Sequence, residues 1–438
     1  WSKVANMLYI ESPTGVGYSY SEAGDSADTT DDYKSGDASV AKDNLQLVKS
    51  FYDKFDTFSS DGNGNEFYLS AESYGGHYIP TLAKIMVEDE EDDSVKDLFK
   101  GFLVGNPYTD PVENMRGMFG AFWGQQLVPA PMYTAWIENC GDSDSVNTYY
   151  DDEYCSTLED DMFDLVGDVD WYGLGYPVCN RDLSSDTASH ADGSAPPSGS
   201  TVFASAKDSE MASGFNQVLS SQAAQMLKHT HPRLHKRVAE RWVELRAGGA
   251  EAVGGNYVAT PRGVASLAAS VDTADGSQSK LGYDACVVDY MTEYLNKDEV
   301  KSALHAESSA SWSECTAKVL YDYTSQQDYM EALYKQFLET TDLRIMVFSG
   351  DDDSICSPLG TQNWIWKLGY SVVDDWAAWY YKSEYGSGQV GGYHVKFNGT
   401  EAGSSLTFVT AHGAGHEVSM YQPLKGFMLF KNFVKGIW

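Results

Sequence analysis

Positive charge is what this sequence has least of: 30 Lys and Arg stand against 64 Asp and Glu, a formal net charge of -34 over 438 residues. Such a surface repels phosphate, which argues against nucleic acid and anionic membrane as partners. No extended apolar run is present, so no membrane span is expected. No clear cluster of metal ligands appears, and none of the chemistry read below needs a metal or an organic cofactor. Cysteine is scarce, with six in all. An even number suits an oxidising compartment and leaves many pairings open. The chain begins at Trp1 with no initiating Met, charged n-region or apolar h-region. That predicts a fragment or an incomplete gene model rather than a natural N-terminus.

What is there is concentrated at three places. Phe67-Tyr-Leu-Ser-Ala-Glu-Ser-Tyr-Gly-Gly-His-Tyr-Ile-Pro80 reads as a short apolar strand, a cramped turn carrying Ser73, and a helix. A serine hydroxyl is a poor nucleophile unless it stands clear of the sheet, near a base, with backbone N–H groups aimed at the developing oxyanion. Small residues at Ala71 and Gly75 fit the flanks of such a turn, although Ala71 departs from G-x-S-x-G. Arg344-Ile-Met-Val-Phe-Ser-Gly350 is a second apolar strand pattern, with Asp351, Asp352 and Asp353 at its tip. Leu406-Thr-Phe-Val-Thr410 is a third, followed by His412 and His416 before an expected helix. The order Ser, Asp, His along the chain is that of the α/β-hydrolases. The expected fold class is therefore α/β, a mixed central sheet flanked by helices.

Five blocks carry a resemblance to the serine carboxypeptidases: Trp1 to Tyr20, the Glu72-Ser73-Tyr74 turn, Gly105-Asn-Pro-Tyr-Thr-Asp-Pro111, Gly350 to Gln362 and Gly413-Ala-Gly-His-Glu417. The resemblance implies a serine-type carboxypeptidase that releases C-terminal residues from peptides and proteins at acidic pH. Ser73 would be the nucleophile, His416 the general base and Asp353 its orienting acid, with the Tyr74 backbone N–H as an oxyanion donor. His412 competes with His416, and Asp351 and Asp352 are read as neighbours of the triad. Glu72 would bind the substrate carboxylate through a shared proton, since two bare charges in contact repel. Tyr74, Tyr108, Ile355 and Cys356 match the wall of an apolar pocket, and Glu417 matches a position that in some members tolerates basic C-terminal residues.

The resemblance also implies disulfides Cys140–Cys155 and Cys179–Cys286, leaving Cys315 without the partner that the family's Trp-Leu-Asn-Gly-Gly-Pro-Gly-Cys loop would supply. No Gly-Gly-Pro-Gly occurs in these residues, so the chain as given is expected to lack one oxyanion donor and to be impaired. Asn398-Gly-Thr400 is the single N-glycosylation sequon, consistent with the secretory pathway and a vacuolar, lysosomal or extracellular destination. Other readings stay open: an acyltransferase or esterase on the same triad, or a non-catalytic carboxypeptidase-like binding protein. A homodimer is also left open.

With 42% hydrophobic and 13% aromatic residues the chain can bury a large core. Residues 1–125 are expected as the first part of that core, 126–283 as a cap insertion and 284–438 as the completion. Within the cap, about 183–280 is rich in Ser, Ala, Gly and Asp and reads as linker. Inside it, Lys228 to Arg246 is basic, and His229, His231 and His235 there suit an exposed basic stretch better than a metal site. The stretch 228–262 reads either as a processed linker or as a gene-model artefact.

Overall fold

The computed structural model describes residues 1–22, 31–58, 65–89, 93–141, 153–179, 283–316, 318–322, 324, 330–383, 386–400 and 403–438. The chain divides into one unit of Trp1–Thr201 with Ala285–Trp438 and a second of Val202–Asp284. Every described helix and strand belongs to the first. The expected linker and the basic stretch, with its three histidines, lie outside the described residues.

The first unit is built on a six-stranded sheet in the order β2-β3-β5-β8-β7-β6. Strands β2 (Phe67–Glu72), β3 (Phe99–Gly105), β5 (Arg344–Gly350) and β8 (Ser405–Ala411) run parallel to their neighbours. A parallel strand covered on both faces has no solvated side, so its sequence is a continuous apolar run rather than an alternation. Ile345, Met346, Val347, Phe348, Leu406, Phe408 and Val409 are all buried accordingly. Strands β6 (Val372–Ser383) and β7 (Gly386–Asn398) form an antiparallel hairpin, and β7 joins β8 antiparallel. A separate two-stranded sheet pairs β1 (Lys34–Gly36) with β4 (Leu320–Asp322) in parallel.

Helix α2 (Gly75–Val87) packs on β2 and β3, and helix α1 (Asp37–Lys54) packs on α2. Ile79, Leu82, Ala83 and Met86 repeat at helical spacing and put one face of α2 into the core with Phe102, Val104 and Tyr334. Gly75 and Gly76 allow α2 to start that close: a Cβ on Gly75 would sit 2.4 Å from the Ala71 Cβ, and one on Gly76 2.1 Å from the Tyr108 carbonyl oxygen. Helix α3 (Pro111–Gly124) follows β3; Asp110 caps it by accepting from the N–H groups of Val112 and Glu113, with Pro111 in the first turn. Of the segment expected as a cap, the described part comprises helices α4 (Ala130–Asn139) and α5 (Glu153–Val166) and the chain to Cys179.

Both implied disulfides are formed, Cys140–Cys155 and Cys179–Cys286. The two sulfurs of the second pair lie with the Asp289 carboxylate in one cluster. Sulfurs joined to each other are not thiolates, so this group is not read as a metal site. Cys315 takes part in neither bond, and Cys356 is a buried thiol. Asn398 is exposed at the end of β7, where a glycan would meet solvent. Among the described residues no helix is long and apolar enough to cross a membrane.

Candidate active site

Parallel strands end on the same edge of a sheet, and that edge collects the three expected residues. Ser73 follows β2, Asp353 follows β5 and His416 follows β8. Ser73 has φ 62, in the left-handed region that a residue with a Cβ avoids. Its own backbone is over-determined: Ser73 N–H donates to the Gly105 carbonyl at 3.0 Å, and its carbonyl accepts from Tyr108 and Gly76, each at 2.9 Å. Strain held by surrounding bonds at a strand-to-helix turn is what presents a side chain above a sheet. Tyr74 follows at the positive end of α2.

Asp353 is buried and its carboxylate is saturated with donors. Oδ2 is 2.8 Å from His416 Nδ1, accepts from Asn106 Nδ2 at 2.8 Å and from Cys356 N–H at 3.2 Å, while Oδ1 accepts from Ile355 N–H at 2.8 Å. A carboxylate accepts, so His416 carries hydrogen on Nδ1, and Nε2 is the nitrogen turned away from Asp353. His416 is fully buried, and among the described residues Nε2 has no hydrogen-bond partner. The imidazole is further held by its own N–H, which donates to the Tyr172 carbonyl at 2.7 Å, and by an edge contact with the Tyr172 ring at 5.0 Å.

The neighbouring carboxylates and histidine fall elsewhere. Asp351 accepts from Gly413 N–H and pairs with His412 Nδ1, each at 2.6 Å, on an exposed surface. Asp352 accepts from Gly175 N–H at 2.8 Å. Asn106 is absent from the residues singled out in the sequence. It sits at φ 37, fully buried, donates to Asp353 and accepts from Gly350 N–H at 2.9 Å. The available signal was an Asn directly before Pro107 at the end of an apolar strand, a residue that tolerates left-handed backbone.

Tyr74 stacks 6.2 Å from the buried Tyr108 ring. Ile355 and Cys356 are buried beside Asp353. Burial, with Asp353 and Glu72 nearby, pushes the Cys356 thiol well up, which keeps it neutral and unreactive.

The electrostatics around His416 are acidic. Burial, then the Glu417 carboxylate, lifts Glu72 to about 8, against the opposing pull of His416. Burial also raises Glu417, again opposed by His416. For His416, burial opposes the charged ring, but Asp353, Glu417 and Glu72 outweigh it and lift the imidazole to about 9. These groups titrate as one set: once Glu72 and Glu417 take up protons, His416 loses two of the charges that hold its own.

Stability follows in sign. Burial also lifts Glu159 to about 8, with the Trp136 indole N–H as its opposing hydrogen bond, and burial lifts Glu331 to about 8 beside Asp110. A carboxyl raised in the folded state keeps a proton that the unfolded chain has lost, so its contribution is full below about 4.5 and is lost as pH rises through about 8. Each retained proton changes stability by about 1.4 kcal/mol per pH unit in that window. The melting temperature is expected to be higher at pH 5 than at pH 8 by about 5 °C or more; scanning calorimetry across that range checks it, and an equal or higher value at pH 8 would contradict these protonation states.

A model described as serine carboxypeptidase matches residues 1–436. Serine carboxypeptidase-like 34 of Arabidopsis thaliana is 28% identical over 440 residues, covering 99% of this chain and 71% of the relative. Serine carboxypeptidase 24 of the same plant is 27% identical, covering 100% and 73%. The crystal structure of Kex1(Δ)p, a prohormone-processing carboxypeptidase from Saccharomyces cerevisiae, superposes with a TM-score of 0.56 at 16% identity over 97% of this chain and 73% of that one. That likeness is of fold, the mixed sheet flanked by helices of the α/β-hydrolases. The chain belongs to the serine carboxypeptidase family.

Proposed function

We propose that the protein is a serine-type carboxypeptidase that removes C-terminal residues from peptides and proteins at acidic pH, with Ser73, His416 and Asp353 as its triad. The observation that carries this reading is the buried Asp353–His416 pair, with His416 Nε2 unpartnered among the described residues, at the sheet edge where Ser73 stands on a strained turn. Ser73 Oγ attacks the scissile carbonyl while His416 Nε2 takes its proton; the imidazolium, stabilised by Asp353, then protonates the leaving amine and leaves an acyl-enzyme for water to cleave. Tyr74 N–H stabilises the oxyanion. Glu72, held protonated by burial, donates to the carboxylate of the departing residue.

Tyr74, Tyr108, Ile355 and Cys356 suit a large apolar side chain before the scissile bond. The two disulfides and the exposed Asn398 support a place in the secretory pathway, with a vacuole, lysosome or the exterior as destination. The assay that tests the function compares a blocked dipeptide with its C-terminal amide: hydrolysis of the free acid at pH 5 is expected, and activity confined to activated esters or to acyl transfer would replace this reading.

Glu417, directly after His416, gives a narrower expectation. A Lys or Arg side chain seated against it restores the carboxylate charge, so peptides ending in either residue are expected to be substrates. Glu417→Gln should lower kcat/KM for them about 10-fold relative to a peptide ending in Phe, the worth of one charged hydrogen bond. Strong rejection of both basic residues by the unmodified protein would remove Glu417 from this role.

A further inference from the structure

The small sheet of β1 and β4 takes no part in the proposed reaction, yet it delivers a buried acid beneath the nucleophile turn. Its register sets Ser35 opposite Tyr321 and Gly36 opposite Asp322. That brings Asp37, the first residue of α1, to the Tyr321 hydroxyl, which donates to Oδ1 at 2.6 Å. The other oxygen, Oδ2, is 2.9 Å from His77 Nδ1. Asp37 is 5% exposed and His77 0%, so this is a second buried carboxylate–imidazole pair, distinct from Asp353–His416.

His77 lies in the first turn of α2, and its N–H donates to the Tyr74 carbonyl at 2.9 Å. Its ring lies flat on that of Tyr74, centroids 4.7 Å apart at 13°, and 5.7 Å from Tyr108. Tyr321 meets the Tyr74 ring edge-on at 5.8 Å. An imidazole is suited to this place because it stacks through its face while donating in its plane to a carboxylate at the side. An apolar ring of the same shape would leave Asp37 buried and short of a donor.

We propose that Asp37 and His77 are positioning residues of the reaction: the pair, clamped by Tyr321, holds the Tyr74 ring, and so fixes the Tyr74 backbone N–H against the oxyanion formed at Ser73. The inference rests on the Ser73 reading. Oxyanion donors act over a few tenths of an ångström, so loosening Tyr74 lowers the rate of bond making more than it weakens substrate binding.

The test uses the whole protein, with rates expressed per active site titrated by a fluorophosphonate and measured well below each variant's melting temperature. His77→Leu and Asp37→Asn are each expected to lower kcat for an ester at least about 10-fold, with KM within about 2-fold, and to slow phosphonylation in parallel. His77→Asn keeps a side-chain N–H near the Nδ1 position but loses the ring against Tyr74, so it should recover only part of the loss, and full recovery would overturn the proposal. A structural role alone would lower the melting temperature and the number of titratable sites while leaving kcat per site unchanged, and that result overturns the proposal. If His77→Leu fails to fold, Tyr321→Phe decides: it deletes one donor to Asp37 and keeps the ring, and an unchanged kcat per titrated site overturns the proposal equally. Ser73→Ala is run alongside. Labelling of that variant would sink the Ser73 reading and this inference together, whereas silence of Ser73→Ala with unchanged kcat per site in the His77 and Asp37 variants would sink this inference alone.

Discussion

Ser73→Ala is expected to abolish labelling by a fluorophosphonate and to lower peptide hydrolysis about 10⁴-fold or more, because nucleophile and base act as one unit. Ser70→Ala should keep both, since Ser70 stands exposed within β2 rather than on the turn that follows it. Asp353→Asn should be nearly as damaging as loss of the serine. The Asp353 carboxylate takes hydrogen bonds from His416, Asn106, Ile355 and Cys356. An amide in its place turns an N–H₂ group toward donors and favours the His416 tautomer with hydrogen on Nε2, where it cannot accept the Ser73 proton. A fall of about 10⁴ in kcat with little change in KM is the expected signature. Retained labelling of Ser73→Ala at unmodified rate would remove Ser73 from the reaction, and full activity in Asp353→Asn would return the choice among the three acids to the open.

The parts of the fold legible in the sequence were those written as continuous apolar runs. Arg344–Gly350 is a strand over the residues expected, and Leu406–Thr410 lies inside β8. Strands buried on both faces between parallel neighbours leave no other reading of such short runs. The β6–β7 hairpin had no such run: its strands are half exposed, with Asp374, Asp375 and Lys382 interleaved among Trp and Tyr, and the glycines near its turn were the remaining sign. Around the site, the residue types were visible and their partners were not. Asp351, Asp352 and Asp353 follow the same strand tip, and what separates them is which backbone N–H and which histidine each meets. Asn106 and the Asp37–His77 pair depend on contacts across 247 and 40 residues, which no local pattern encodes.

Peptide and amide substrates are expected to show different pH profiles. Burial and then Glu417 hold Glu72 protonated up to about 8, so at pH 5 it is a neutral donor to a substrate carboxylate, and kcat/KM for a peptide acid should fall as pH rises through that region. A C-terminal amide makes no such demand. Both substrates need neutral His416, whose proton is held by Asp353 and, where they are ionised, by Glu417 and Glu72 against the effect of burial, so the amide rate should rise with pH and level off while the peptide acid adds the fall set by Glu72. Glu72→Gln separates the two effects in one substitution. Glutamine donates without needing a proton, which flattens the alkaline fall for the peptide acid; it also removes one charge holding the His416 proton, which moves the rise for the amide to lower pH. Assays from about pH 4 to pH 9 on a blocked dipeptide and its amide read both shifts. Superimposable profiles for the two substrates in the unmodified protein would mean that Glu72 does not read the carboxylate. A Glu72→Gln profile for the amide that stays in place would mean that Glu72 does not help to hold the His416 proton.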